Sequence, residues 1–469
     1  MKKSTLLRLF RSLTKRDIRE LRKFVRSPYF NQRGDVARLF EYLAEAIYRE
    51  EEALDKDRAF AAVWPGQPYD DDLLRLVMHF LQKHIKRYLA WSELEEAEGP
   101  FVQLHLCQAL RRRGLDKLYR RELNALKKSH EQHPYRSVGH HYLNYRLHLE
   151  RHEYDLRQRR SGGENLQELT SELTAFYVSE LLRYSCTTLI AQKLSRQKYD
   201  PEMVEGVMRL VEGSPVAEAP AVRVYYQAYR ALSVPEEESR FARLKELMEQ
   251  HWAAFPPDEA HDIYLLAINY CIRRLNQGER QYIREAFELY RKGLERRLLF
   301  REGELSKFTY NNVLMLAIAL EEWEWSAAFL ENYKTHLPAR ERGNIYRYNQ
   351  AILFFKKGDY GAAMELLQRV AFQDVLYNLN ARCMLLRMYY ELGEFDALAS
   401  LLDSFAAYLR RQKALGYHRE HYSNLIHYAR RLLGMAPHDR EERRQLAREV
   451  AGEKAVAERE WLLEQLNTG

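Results

Sequence analysis

Cysteine is scarce in this 469-residue chain. The four present, Cys107, Cys186, Cys271 and Cys383, stand far apart and none belongs to a CxxC pair, which excludes a disulfide framework and a zinc motif. Glycine (20) and proline (13) are sparse and alternating β-branched runs are missing, so a strand-rich fold is excluded as well. Long apolar runs are also absent. The longest, Val313 to Leu320, falls far short of the ~20 residues a membrane span needs. The first residues, MKKSTLLRLFRSLTKRD, carry two lysines as a leader would, but Arg8 and Arg11 interrupt the apolar stretch. These absences predict a soluble protein of a reducing compartment, most simply the cytoplasm.

Catalytic signatures are missing too. There is no GxSxG, no GxxxxGK[ST], no GxGxxG after a strand and no kinase motif. HEQH (His130 to His133) and HREH (His418 to His421) are each one residue short of HExxH. His148 and His152, four apart, would share a helix face, but metal ligation needs a third ligand and an oriented second shell. No nucleophile is nominated, and neither a metal nor a cofactor is expected; the chain reads as non-enzymatic.

What is present is helix. Hydrophobic residues make up 46% and charged residues 30%, enough for a continuous core and too apolar for general disorder. Leu, Ala, Glu, Arg and Tyr dominate. One pattern is written three times: WEWSAAFLENY from Trp323, GDYGAAMELLQ from Gly358 and GEFDALASLLD from Gly393, each starting 35 residues after the last. An apolar helix precedes each one. A helix, a tight turn and a second helix repeating at about 34 residues predict stacked helix pairs.

Ahead of that stretch, Thr14 and Asp17 read as a capping box. The helix they open ends at Ser27, because the residue before Pro28 resists helical backbone. Further helices are expected over 34–51, 57–64, from Asp70 to about 89, in a pair turning at Gly114, over 137–160 and over 165–196 across Ser161-Gly162-Gly163. Others follow at 201–212, 219–232 and 236–254, in a pair turning at Asn276-Gln277-Gly278, and at 416–434 and 438–466. Four segments result: 1–98, a basic helical domain; 99–300, divergent helical repeats; 301–412, the regular repeats; and 413–469, closing helices.

Residues 305–409 resemble a tetratricopeptide array, whose pattern is W-x2-L-G-x2-Y…A-x3-F…P. Ala351, Phe354, Ala363 and Leu367 fill the small, tyrosine, alanine and phenylalanine slots of the second unit. In the third, Leu385, Tyr389 and Leu402 match while Leu386 and Leu398 replace small residues; in the first, Ala328 matches. The tryptophan slot holds Asn312, Arg347 or Arg382. The whole chain also resembles a group of bacterial tetratricopeptide-like proteins, through SPYFN (Ser27 to Asn31), YDD (Tyr69 to Asp71) and NQGE (Asn276 to Glu279). The resemblance implies an all-α superhelix, a solenoid of antiparallel helix pairs, with a concave face that takes a peptide or partner helix. Its groove positions fall on Tyr310, Tyr348, Asn349, Lys356, Asn380 and Arg387. It brings no known activity with it.

Charge supplies the alternative. Residues 1–40 hold twelve Lys or Arg against three acids, and residues 111–160 hold fourteen against six. On the first helix Arg16, Arg19, Arg22, Lys23 and Arg26 share one face, a pattern that tracks a polyanion such as nucleic acid or forms a solvated surface.

Overall fold

The computed structural model describes residues 4–46, 55–97, 99–158, 165–192, 202–370, 375–412, 418–435 and 439–467. It is all-α, with twenty-three α-helices among the described residues. None of them is long and apolar enough to cross a membrane. The expected break at Ser161-Gly162-Gly163 and the expected helix ends at residues 51 and 196 lie outside the described residues. The chain divides into two compact units, Met1–Tyr177 and Val178–Gly469.

The first unit opens with α1 (Thr5–Ser12), α2 (Lys15–Arg26), α3 (Gly34–Ala46), α4 (Lys56–Val63) and α5 (Asp71–Ala97). Thr14 Oγ1 accepts from Asp17 N at 3.1 Å, and Asp17 Oδ2 accepts from Thr14 N at 2.8 Å. The capping box anticipated from sequence therefore starts α2, and Ser27, just before Pro28, ends it. Asp70 caps α5 by accepting from the backbone N–H groups of Asp72 and Leu73. The apolar faces of α1 to α5 meet in one core, in which Leu7, Phe10, Leu21, Val25, Leu39, Phe40, Val77 and Leu81 have no exposed surface.

Next come α6 (Gly99–Arg112), α7 (Asp116–Gln132) and α8 (Val138–Arg157), and α9 (Leu166–Ala191) crosses the border between the units. Gly114 turns α6 into α7. α6 packs against both α7 and α8, through Leu104, Leu126, Leu143 and Leu147 and through Cys107, Tyr119 and Tyr154.

The second unit continues with α10 (Glu202–Val211), α11 (Pro220–Ser233), α12 (Glu238–His251), α13 (Pro257–Asn276) and α14 (Tyr282–Glu295). A two-stranded hairpin, β1 (Phe300–Arg301) and β2 (Glu304–Leu305), pairs Phe300 with Leu305. Nothing in the sequence reading anticipates it. Its two-residue loop, Glu302 and Gly303, is left-handed at both positions (φ 51° and 80°), as a tight hairpin requires. Then follow α15 (Lys307–Ala319), α16 (Trp323–Tyr333), α17 (Arg342–Lys357), α18 (Tyr360–Gln368), α19 (Val375–Glu391) and α20 (Phe395–Arg411). The chain closes with α21 (His418–Gly434), α22 (Arg440–Gly452) and α23 (Arg459–Asn467). The single helix expected over 438–466 is thus two. Glu458 is left-handed (φ 51°), and Ala457 N donates to His421 O at 3.1 Å, so contacts with α21 fix a bend that helix periodicity does not encode.

Helices α11 and α12, α13 and α14, α15 and α16, α17 and α18, and α19 and α20 pack as consecutive pairs. The turn inside four of these pairs closes in the same way. In α13–α14 Glu279 N donates to Arg274 O around Gly278 (φ 92°). The other three also share an aromatic residue just after the turn. Glu322 N donates to Ala317 O, Asp359 N to Phe354 O and Glu394 N to Tyr389 O, the six-residue closure of a Schellman cap. The left-handed residue is Glu321 (φ 60°), Gly358 (φ 81°) or Gly393 (φ 73°). Trp323, Tyr360 and Phe395 follow at the same place. The first turn therefore aligns two residues away from the register read from sequence, which set Trp323 beside Gly358. The shift arises because a glutamate fills the glycine position.

Candidate functional site

The first helices of successive pairs, α15, α17, α19 and α21, meet edge to edge through a line of polar aromatics. Tyr377 on α19 sits with its ring 5.0 Å from that of Tyr348 on α17 and 6.4 Å from that of Phe308 on α15. Lys307 Nζ stands 5.4 Å from both the Phe308 and the Tyr377 ring centroids, a cation–π arrangement. Tyr422 on α21 donates to Asn380 Oδ1 at 3.1 Å, and Asn380 also hydrogen-bonds the Tyr348 side chain. Phe308 leaves 59% of its surface open, and Met315, seven residues further on the same helix face, is also exposed.

The six side chains placed in a groove by resemblance divide on this frame. Tyr310, Tyr348 and Asn349 are interior, so a partner docked on this face reaches none of them. The Tyr310 hydroxyl donates to Leu330 O at 2.8 Å, tying α15 to α16. Asn349 donates back to Ile345 O at 2.8 Å within its own helix. Burial pushes both tyrosine hydroxyls up, well beyond physiological titration. Their helical spacing was legible, but spacing identifies a face without telling which neighbour covers it. Lys356 and Asn380 are exposed. Arg387 is partly so, and its guanidinium reaches Glu458 at 3.1 Å and lies 5.0 Å from the Phe355 ring. Lys356 Nζ is 5.8 Å from that same ring. Asn380 with Tyr348, and Lys356 with Arg387, are therefore brought together in twos; Tyr310 stands apart. The sequence reading missed Lys307, Phe308 and Tyr422, although an exposed apolar pair at Phe308 and Met315 was a usable signal.

The chain matches no protein-family model, no curated protein and no solved structure. Any functional reading rests on its own geometry.

The basic face of α2 is largely spent on neighbours. Arg22 and Arg26 both reach Glu41 on α3, at 2.9 and 2.7 Å. Arg19 and Lys23 reach Glu20, at 3.1 and 2.7 Å, and Arg16 lies beside Asp17, whose carboxyl is held low, chiefly by hydrogen bonds from Thr14 and further by Arg16. Exposed pairs of this kind are individually weak, but they bring three acids onto the face with five cations.

The histidines gather where α7 meets α8. The rings of His130 and His140 stack at 4.3 Å, and His141 Nδ1 lies 2.7 Å from Glu172 Oε2. Burial first, then the neighbouring His130 charge, pushes His140 down to about 3. Among the described residues no group of three His, Cys, Asp or Glu is arranged to hold a metal ion. All four cysteines are free and buried, and burial pushes Cys107 up to about 11 and Cys271 to about 12, the opposite of a reactive thiol.

Proposed function

We propose that this chain is a non-enzymatic interaction scaffold, a tetratricopeptide-like superhelix whose regular pairs display one face to a peptide or a partner helix. The observation that carries the reading is the continuous line Lys307, Phe308, Tyr377, Asn380 and Tyr422, contributed by the first helix of successive pairs. An open aromatic edge flanked by a lysine, an asparagine amide and a tyrosine hydroxyl supplies contact area together with orienting hydrogen bonds. Binding here needs little rearrangement, since the Tyr377 ring beside the open Phe308 is itself buried and already held by packing.

The test is comparative capture. Tagged wild-type protein and a Phe308→Ser, Asn380→Asp double variant are passed through the same native lysate. Both substitutions lie on the exposed face, so thermal unfolding should be shared. Proteins retained by the wild type and lost by the variant support the reading; an identical set from both removes it. Random-sequence RNA serves as a control. Steep, salt-dependent retention of RNA would favour the basic segments 1–40 and 111–160 as a polyanion track.

A further inference from the structure

Between α7 and α8 lies an open cavity of about 330 Å³. Its origin is geometric. Two ring stacks hold the helices apart: Tyr119 on Tyr154 at 4.2 Å at one end and His130 on His140 at 4.3 Å at the other. The helix faces between them carry a consistent chemistry. From α7 come Arg120, Leu123, Asn124 and Lys127, at helical spacing. From α8 come Asn144, Leu147, His148, Arg151 and Asp155, on one face again.

Three of those side chains are cations, and their protein partners leave donors open. Lys127 Nζ approaches Glu131 only to 3.7 Å and Arg151 Nε approaches Asp155 only to 3.7 Å, both beyond hydrogen-bond length. Arg120 donates Nε to the Tyr154 hydroxyl at 3.1 Å, and among the described residues its terminal nitrogens make no ion pair. Against them the cavity holds one carboxylate, Asp155. His148 is held below its ordinary value, first by burial and then by the charge of Lys127, so it is neutral at physiological pH and its buried Nδ1 has no partner. Among the lining side chains the balance is therefore three positive charges against one negative, with Glu131 beside Lys127 and Asp116 near Arg120 outside the lining.

A lining rich in open cationic donors selects an anion. A phosphate monoester, which carries about −1.5 to −2 at pH 7, has the charge and the acceptor oxygens to draw Lys127 and Arg151 from carboxylates held only at 3.7 Å. The other half of the lining is apolar, with Leu123 and Leu147 as floor and the Tyr154 ring at the end, so the phosphate would arrive on an organic body. The volume suits a ligand at the small end of the range for small-molecule sites. We propose that the α7–α8 cleft binds a small phosphate monoester with a flat apolar body, the size of a nucleoside monophosphate. Lys127, Arg151 and the terminal nitrogens of Arg120 take the phosphate, and Leu123 and Leu147 carry the body. The site is separate from the α15–α21 face, and its fate does not depend on whether that face binds a partner.

Calorimetric titration of the full chain tests this with adenosine monophosphate, phenyl phosphate and inorganic phosphate as probes, at low salt. Expected are saturable binding of at least one organic phosphate with a Kd under about 1 mM, and binding of inorganic phosphate weaker by about tenfold or more, because it leaves the apolar half unfilled. Lys127→Ala with Arg151→Ala should weaken the organic phosphate by about tenfold or more. Asn124→Trp, which fills the cleft from an exposed position, should abolish binding and guards against a double variant that fails to fold. The proposal is overturned if neither organic phosphate binds at 10 mM (about ten times the expected Kd), or if either folded variant binds as the wild type does.

Discussion

Arg111 on α6 grips Glu150 on α8 with two parallel hydrogen bonds, Nε to Oε1 at 2.6 Å and Nη2 to Oε2 at 3.0 Å. The Arg111 side chain is 10% exposed and that of Glu150 2%. Glu153 adds a second carboxylate to the same guanidinium, and Tyr119 donates to the Glu150 carbonyl at 3.2 Å. The hydrogen bonds raise the affinity of Arg111 for its proton further, so the guanidinium is permanently charged and its partner cannot be removed cheaply. Glu150→Ala leaves that cation with the half-exposed Glu153 as its remaining carboxylate, and unfolding free energy should fall, by less than the about 3–5 kcal/mol of a wholly orphaned buried charge. Arg111→Met with Glu150→Leu removes both charges and should lie within about 1–2 kcal/mol of the wild type. Urea unfolding followed by circular dichroism measures both. Equal losses in the single and double variants would show that packing, and not an orphaned charge, sets the cost.

The three equivalent turns predict opposite effects for opposite substitutions. Glu321 carries a side chain in a left-handed backbone (φ 60°), whereas Gly358 holds the same place (φ 81°) with open space where a Cβ would go. Only conformation is at stake at either position. Glu321→Gly should stabilise by about 0.5–1 kcal/mol and Gly358→Ala should destabilise by about 1 kcal/mol. Shifts of the urea midpoint in the same direction for both would mean that the turn conformation does not decide the matter.

Local chemistry explains what was legible in the sequence. The Thr14–Asp17 capping box, the stop before Pro28 and the turns at Gly114, Gly278, Gly358 and Gly393 depend on residues adjacent in the chain, and the structure has all of them. The turn at Glu321 was misaligned because its left-handed residue is no glycine. The bend at Glu458 and the 300–305 hairpin escaped for related reasons, being fixed by contacts with α21 and by a two-residue loop outside helical periodicity. At the candidate face, the resemblance offered Tyr310, Tyr348 and Asn349 as groove residues, but only tertiary packing reveals that they are buried, with Phe329 against the first and Tyr377 against the second. The α7–α8 cleft depends on pairing Tyr119 with Tyr154 and His130 with His140, and the spacing of basic residues within 111–160 gives no hint of it.

The four cysteines make a chemical prediction. All are buried, and the burial that raises Cys107 to about 11 and Cys271 to about 12 acts on Cys186 and Cys383 as well. At pH 8 the thiolate fraction and the access are both small, so native protein should release little chromophore from Ellman's reagent over minutes, while denatured protein should release four equivalents, one for each cysteine. Rapid reaction of one equivalent in the native state would locate a core that opens readily.

Acid should weaken the first unit, and His140 supplies the reason. Its folded value is pushed down to about 3 from an ordinary 6.5, by burial first and then by the charge of His130. Between those limits the unfolded chain takes up a proton that the folded chain refuses. Stability is therefore complete above about pH 6.5 and declines as pH falls toward 3. His130 and His148 are lowered in the same direction, each chiefly by burial, and add to the slope. Full linkage would be about 1.4 kcal/mol per pH unit for one group; the partly accessible ring of His140 reduces this to about 1 kcal/mol between pH 7 and pH 5. His140→Asn cannot take up a proton, so its urea midpoint should fall less over that interval than the midpoint of the wild type. Carboxylates common to both proteins cancel in the difference. Parallel midpoints would mean that His140 accepts its proton in the folded state, and that the stack with His130 opens before the helices separate.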